Sequence, residues 1–129
     1  MDFKKIGGFG ENIACYFLKG KGYKILDRNY YKEWSSVSKG EIDIIVWKDK
    51  TVSFVEVKTQ TNPAESGVGF SPEERVDFQK QRKLIKLAQY WLRDHKIPLD
   101  SKWQIDVISV IINQNSKKAK IRHFQNVVS

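Results

Sequence analysis

The sequence predicts an α/β domain: a mixed central sheet flanked by helices, in the order α-β-β-β-α-β with a final edge strand. Three observations predict it. An apolar stripe at helical spacing opens the chain (Phe9, Ile13, Ala14, Phe17, Leu18), and a second lies late in it (Leu84, Ile85, Leu87, Ala88, Trp91, Leu92). Strand-length runs of β-branched and aromatic residues fill the space between them and return after the second stripe. One amphipathic helix before and one after three strands pack naturally as a sheet flanked by helices. The 129 residues are expected to form a single domain, residues 1–129, long enough to bury a core without staples.

The elements follow in order. Gly8 to Lys19 reads as the first helix, with Gly20 and Gly22 as its stop signals. Glu11 lies near its start, where the helix dipole favours a carboxylate. Tyr23–Tyr30 is the first strand, and Tyr31–Lys39 a polar loop carrying an exposed Trp34. Gly40–Gln60 (GEIDIIVWKDKTVSFVEVKTQ) is two strands around a tight turn at Lys48-Asp49-Lys50. Ile42, Ile44, Val46 and Trp47 fill the first, and Val52, Phe54, Val55 and Val57 the second. Thr61–Pro72, rich in proline, glycine and hydroxyl residues, is a flexible connection. The second helix starts at Ser71-Pro72-Glu73-Glu74, with a serine cap, a proline in the first position and acids in the first turn, and ends before Pro98. Trp103–Ile112 is a buried strand. Ala119–Val127 pairs with it as an edge through Asn113–Ser116.

Composition narrows the class of partner. A hydrophobic fraction of 40% and an aromatic fraction of 12% exclude a disordered tail. Lys and Arg outnumber Asp and Glu by 23 to 15, a net charge of +8, which suits a polyanion: nucleic acid or an anionic membrane surface. One cysteine, Cys15, excludes an internal disulfide and a cysteine zinc site; it is expected as a small buried residue on the first helix. The opening MDFKKIGGFG has no apolar signal core, and no run is long enough to cross a bilayer, so a soluble, cytoplasmic protein is expected, not a membrane one.

The chemistry is concentrated in Gly40–Gln60, where Asp43, Glu56 and Lys58 interrupt apolar strands. Glu56 and Lys58, two apart, emerge on one side of their strand, and the hairpin brings Asp43 beside them. Charges in a sheet centre are costly unless paired or bound to a metal. Asp43 and Glu56 are hard oxygen ligands suited to Mg²⁺ or Mn²⁺, and the carbonyl of Val57 adds a third. Lys58 can hold a water and stabilise charge on a phosphate, which completes the parts needed for metal-assisted hydrolysis. The basic face of the second helix (Lys80, Arg82, Lys83, Lys86) is either a solvated surface or a row of sequence-independent phosphate contacts. No serine or cysteine nucleophile has a basic partner. His95 and His123 fall at positions that read as surface and lack metal-ligand spacing. Asp106, an acid in an apolar strand, reads as a hydrogen-bonded structural group.

A D-x₁₂-E-x-K spacing alone is common by chance, but its setting as G-E-I-D-I-I followed by F-V-E-V-K is far more specific. The sequence resembles the PD-(D/E)XK nuclease superfamily and, within it, the YraN-like family of small bacterial proteins. The matching residues are Gly10-Glu11 and Ala14, Gly22, Ile25-Leu26, Arg28-Asn29, Gly40-Glu41-Ile42-Asp43, Phe54-Val55-Glu56-Val57-Lys58, Lys80-Gln81, Leu84, Ala88 and Ile105-Asp106-Val107. The resemblance implies a restriction-endonuclease-like αβββαβ core and a relation to archaeal Holliday-junction resolvases. It also implies that Glu11 joins the acids, giving a catalytic set of Glu11, Asp43, Glu56 and Lys58 and a metal set of Asp43, Glu56 and Val57. Glu41, on the strand face of Asp43, is either a further acidic member or a structural group at the strand's mouth. The expected activity is a Mg²⁺- or Mn²⁺-dependent nuclease on structured or branched DNA, endo- or exonucleolytic, with a homodimer suggested by analogy, since two-strand cutting needs two sites. Two departures stand out: a longer Asn29–Gly40 loop, and Gln60 where a basic residue often follows the motif lysine. A non-catalytic nucleic-acid-binding module, or an interaction subunit docking through the Trp34 loop, are the rival expectations.

Overall fold

A computed structural model describes residues 3–61, 78–98 and 100–128. Its elements are α1 (Phe3–Gly20), β1 (Lys24–Glu33), β2 (Lys39–Lys48), β3 (Thr51–Thr61), α2 (Phe78–Asp94), β4 (Trp103–Asn113) and β5 (Lys118–Phe124). The five strands form one sheet in sequence order. β1, β2 and β3 pair antiparallel, β3 and β4 pair parallel, and β5 closes the edge antiparallel to β4. The parallel pair needs a crossover, and α2 lies in it. This is the αβββαβ core of restriction-endonuclease-like folds with one strand added.

The apolar stripes foreseen from spacing pack against opposite faces of the sheet, except for Phe9, which is 56% exposed. Ala14, Cys15 and Leu18 of α1 pack on Ile44, Val46, Val55, Ile108 and Val110. Leu84, Leu87, Ala88, Trp91 and Leu92 of α2 pack on Ile42, Ile45, Val52, Phe54, Ile105 and Val107. Both helices close the same way. Tyr23 N–H bonds Leu18 O at 3.0 Å and Gly22 N–H bonds Lys19 O at 3.0 Å; Ile97 and Lys96 repeat this on Leu92 (2.8 Å) and Arg93 (3.0 Å). That pattern needs a left-handed residue after the helix, supplied by Gly22 (φ 92°) in one case and Lys96 (φ 57°) in the other. The β2–β3 hairpin pairs Lys48 with Thr51 around Asp49 (φ 50°) and Lys50 (φ 62°), the doubly positive geometry of a two-residue turn.

Several expectations are corrected. α1 begins at Phe3, before Gly8. β1 runs to Glu33, because its ladder with β2 continues through Tyr31↔Glu41, Lys32↔Gly40 and Glu33↔Lys39. The loop therefore shrinks to residues 34–38, and the hairpin carries Trp34 onto α2, half-buried with its ring 5.9 Å from that of Tyr90. Trp34 is thus not an exposed docking residue. Trp47, foreseen as strand filling, is 43% exposed. β5 ends at Phe124; residues 125–128 follow without regular structure, held by Val127 N–H on Ile105 O at 2.8 Å. His123 is not a surface residue: it packs edge-on against Phe17 and Tyr23 and meets the carboxylate of Asp106 at 2.8 Å. Asp106, fully buried, also accepts from Gln104 Nε2 and Asn126 N–H, both at 2.9 Å, which is the structural role foreseen. The start signals Ser71–Glu74 and most of the Thr61–Pro72 connection lie outside the described residues. No helix of the described residues is long and apolar enough to cross a membrane.

Candidate functional site

The site begins where β2 loses its phase. Ile42 faces α2, whereas Ile44, two residues on, faces α1. A regular strand would put both on one face, so the alternation slips at Asp43. Across the ladder, flanked by Arg28↔Ile44 and Tyr30↔Ile42, stands Asn29 at φ 53°. On the other side the β2–β3 ladder stops at Ile44↔Val55. The next β3 donor on this side, Val57 N–H, is taken by Asp43 Oδ2 at 2.8 Å. A carboxylate thus replaces a backbone carbonyl in the sheet.

Glu56 and Lys58 lie on either side of Val57 and continue the β3 face that buries Val52 and Phe54 against α2. Lys58 Nζ is 2.9 Å from Glu56 Oε1, as their two-residue spacing foresaw. Lys80, from the first turn of the described α2, reaches the same oxygen at 2.5 Å. The other oxygen, Glu56 Oε2, is buried and finds no hydrogen-bond partner among the described residues. Lys83 lines, with Lys39, Glu41, Glu56 and Lys80, a groove of about 380 Å³ beside the acids; Arg82 and Lys86 are exposed on the helix. Of the four basic residues singled out from sequence, Lys80 is therefore inside the site and the others border it or lie outside.

The third wall comes from α1. Gly10 lets the helix approach β3: a Cβ there would collide with the side chain of Thr59. Gly40 does the same on the opposite face, where a Cβ would come within 2.9 Å of Leu87 Cδ1. Each glycine precedes an acid, Glu11 and Glu41, and each acid is delivered to Asp43. One carboxylate oxygen from each of Glu11, Glu41 and Asp43 can be chosen so that all lie within 4.8 Å of one another. With its amide nitrogen toward the acids, Asn29 donates to Glu11 Oε2 at 3.0 Å and Glu41 Oε1 at 2.8 Å. Arg28 Nη2 lies 3.8 Å from Glu11 Oε2 and is held by Asn12 Oδ1 at 2.9 Å.

Electrostatics follow from this crowding. Burial, reinforced by Glu11, Glu56 and Glu41, pushes the Asp43 carboxyl up to about 7 against the lowering bond from Val57. Burial and then Glu41 raise Glu11, with Arg28, Asp43 and Asn29 opposing. Burial, aided by the neighbouring Lys80, lowers Lys58 despite its bond to Glu56. For Lys80 burial is the largest single influence and lowers it, but the bonds to Glu56 and Lys58 and the charges of Glu56 and Asp43 together outweigh it and raise the group.

This donor set fits a hard divalent cation. The ligands on offer are carboxylate oxygens, the acids are held close at an electrostatic cost, and Glu56 has a buried oxygen free of hydrogen bonds among the described residues. Glu11, Glu41 and Asp43 converge most closely; Glu56 and the Val57 backbone flank Asp43 on β3. Sequence reasoning assigned no role to Arg28 and Asn29, although the pair stands within the family match. The signal for Asn29 was its type, since asparagine tolerates a left-handed backbone. Lys80 was singled out as a basic residue of the second helix, but nothing local pointed to its pairing with Glu56, because only the crossover brings α2 over β3.

Residues 10–110 match the profile of an uncharacterised protein family, UPF0102. A UPF0102 protein of Alkaliphilus oremlandii is 42% identical over 125 residues, covering 95% of this chain and 97% of its own length. One from Caldicellulosiruptor bescii is 38% identical over 121 residues (94% of each chain), and one from Clostridium botulinum 37% over 123 residues (95% and 93%). The chain belongs to the UPF0102 family.

Proposed function

We propose that the protein is a metal-dependent nuclease of the PD-(D/E)XK type that hydrolyses phosphodiester bonds of structured or branched DNA. One observation carries the reading. Glu11 of α1, Asp43 of β2, and Glu56 and Lys58 of β3 meet at the point where the sheet opens, with Glu41 and Lys80 joining them. A protein that only binds polyanions gains nothing from packing acids until one carboxyl is pushed to about 7.

In this reading Glu11, Glu41, Asp43 and Glu56 hold Mg²⁺ or Mn²⁺, which supplies Lewis acidity toward the phosphoryl oxygen and stabilises the developing charge. Asp43 is fixed by Val57 N–H, and Glu11 by Asn29, so the acids keep their places when charged. Lys58, lowered by burial, orients water at the phosphate and meets charge developing on it. Lys83, Arg82 and Lys86 contact phosphates without reading bases. Mg²⁺ or Mn²⁺ incubations with duplex, flap and four-way-junction DNA test this. Cleavage of a branched substrate, abolished by Asp43→Ala and Glu56→Ala, is expected; no cleavage of any substrate, or cleavage indifferent to both changes, overturns it.

A second reading, a nucleic-acid-binding module without chemistry, is favoured by Glu56 Oε1 being held by two lysines. It requires salt-sensitive DNA binding that survives Asp43→Ala and needs no metal.

A further inference from the structure

A second groove lies on the α2 side of the sheet, away from the acids. It holds about 470 Å³ and is lined by Lys24, Leu26, Trp47, Lys50, Val52, Ile97, Ser101 and Lys102. Its floor is apolar: Leu26, Val52 and Ile97 belong to the cluster under α2. Its wall is Trp47, 43% exposed and without a ring contact among the described residues. Its rim is cationic. Lys24 pairs directly across the ladder from Trp47, which puts its Cβ about 5 Å from that of the indole-bearing residue. Val52 pairs with Trp47 on the other side and takes the carbonyl of Lys102 at 3.0 Å, while Lys50 sits in the adjoining turn. Lys24, Lys50 and Lys102 are exposed and have no ion pair among the described residues.

We propose that this groove binds an unpaired nucleotide of a nucleic-acid strand, its base stacked on Trp47 and its phosphates met by Lys24, Lys50 and Lys102. The combination is the one single strands select: an aromatic face that any base can stack on, beside cations that follow the backbone. A volume of this size suits a single nucleoside and its phosphates, not a folded protein segment. A phosphate alone would need no indole, and an apolar ligand would need no lysines. The groove lies four residues along β3 from Glu56, about 13 Å, so one strand can engage both places.

The binding is tested without metal, in EDTA, so that it stands or falls separately from the nuclease reading. Fluorescein-labelled oligo(dT) of twelve nucleotides, a blunt duplex of the same length and ATP are titrated by anisotropy or competition. Trp47→Ala weakens oligo(dT) binding on the order of tenfold and duplex binding little, and Trp47→Phe, which keeps a π-face, retains most of it. Lys24→Glu, Lys50→Glu and Lys102→Glu together lower the salt slope by about 2 for single strands. Circular dichroism of each variant confirms the fold. Oligo(dT) binding unchanged by Trp47→Ala, or ATP binding in the absence of oligo(dT) binding, overturns the proposal.

Discussion

Asp43 Oδ2 accepts the backbone N–H of Val57 at 2.8 Å, at the place where the β2–β3 ladder would otherwise continue. The bond anchors the acid to β3 between Glu56 and Lys58, so the geometry of the site is set by the sheet itself. It also leaves a charge in a poor environment, since burial and three neighbouring acids push the Asp43 carboxyl up to about 7.

That position gives stability a pH dependence. In the unfolded chain Asp43 releases its proton near 3.8, whereas in the native protein it does so near 7. Between these values the native state holds a proton that the unfolded state has lost. Stability of the metal-free protein therefore falls as pH rises from about 4 to about 7. Glu11, also raised, acts in the same sense. Asp43→Asn, whose amide oxygen can still accept from Val57, should remove most of this fall and stabilise the metal-free protein at pH 8 by roughly 2–4 kcal/mol. Urea melts in EDTA at pH 5, 6, 7 and 8 measure it; an unchanged slope in the variant would count against the assigned burial.

Metal binding reverses the sign. A cation bound by the native state alone stabilises by RT ln(1 + [L]/Kd), about 2.7 kcal/mol at a concentration 100 times Kd. Wild-type protein should gain thermal stability on titration with Mn²⁺ at pH 8, and Asp43→Asn should gain little. Thermal melts with and without Mn²⁺ compare the two proteins, and an equal rise in both would separate the effect from the acids.

Asn29 should tune the proposed metal site without touching the cation. Its amide bridges Glu11 and Glu41, and its backbone sits at φ 53°. Asn29→Gly keeps the backbone conformation and deletes only the bridge. Groups that orient ligands typically contribute 10–100-fold in metal affinity, and a loss of roughly that size is expected here. Titration of Mn²⁺ followed by electron paramagnetic resonance reads it. Asn29→Ala, which adds backbone strain, should lose stability as well.

Gly10 makes a complementary claim about packing. Gly10→Ala drives a Cβ into the side chain of Thr59 and should cost roughly 1–3 kcal/mol, the usual penalty for overpacking. Thr59→Ala removes the two atoms nearest that Cβ, so the double variant should recover much of the loss. A double-mutant cycle in urea gives the coupling; simple additivity would show that α1 yields instead.

Much of this was legible in the chain, for physical reasons. Apart from Phe9, which is exposed, the helical stripes foretold which side chains α1 and α2 pack on the sheet, and strand alternation placed Glu56 beside Lys58. What escaped depends on distance in sequence or on irregular backbone. The slip at Asp43 cannot be read from an apolar pattern, because Ile42, Ile44, Ile45 and Val46 are all buried and fit either phase. Lys80 joins Glu56 only through the crossover. Trp34 looked exposed because a polar stretch does not reveal that its strands go on pairing. His123 looked incidental because its partner, Asp106, lies 17 residues earlier on the neighbouring strand.

That last pair carries the final prediction. Asp106 is fully buried, and its Oδ1 accepts from Gln104 and Asn126 while Oδ2 meets His123 Nε2. His123→Ala leaves Oδ2 buried without its partner, and should cost roughly 2–4 kcal/mol. Asp106→Ala removes the partner of all three groups, leaves residues 125–128 held to β4 by Val127 N–H on Ile105 O without the Asn126 bond, and should cost at least as much. Asp106→Asn should be the mildest, because its oxygen still serves Gln104 and Asn126 and its nitrogen can donate to a neutral imidazole. None of the three should alter Mn²⁺ affinity, since Asp106 faces β5 and the chain's end instead of the acids. Urea denaturation at pH 7 ranks the series. A cost below about 0.5 kcal/mol for His123→Ala, the range of ordinary surface changes, would show that this latch does not hold the end of the chain.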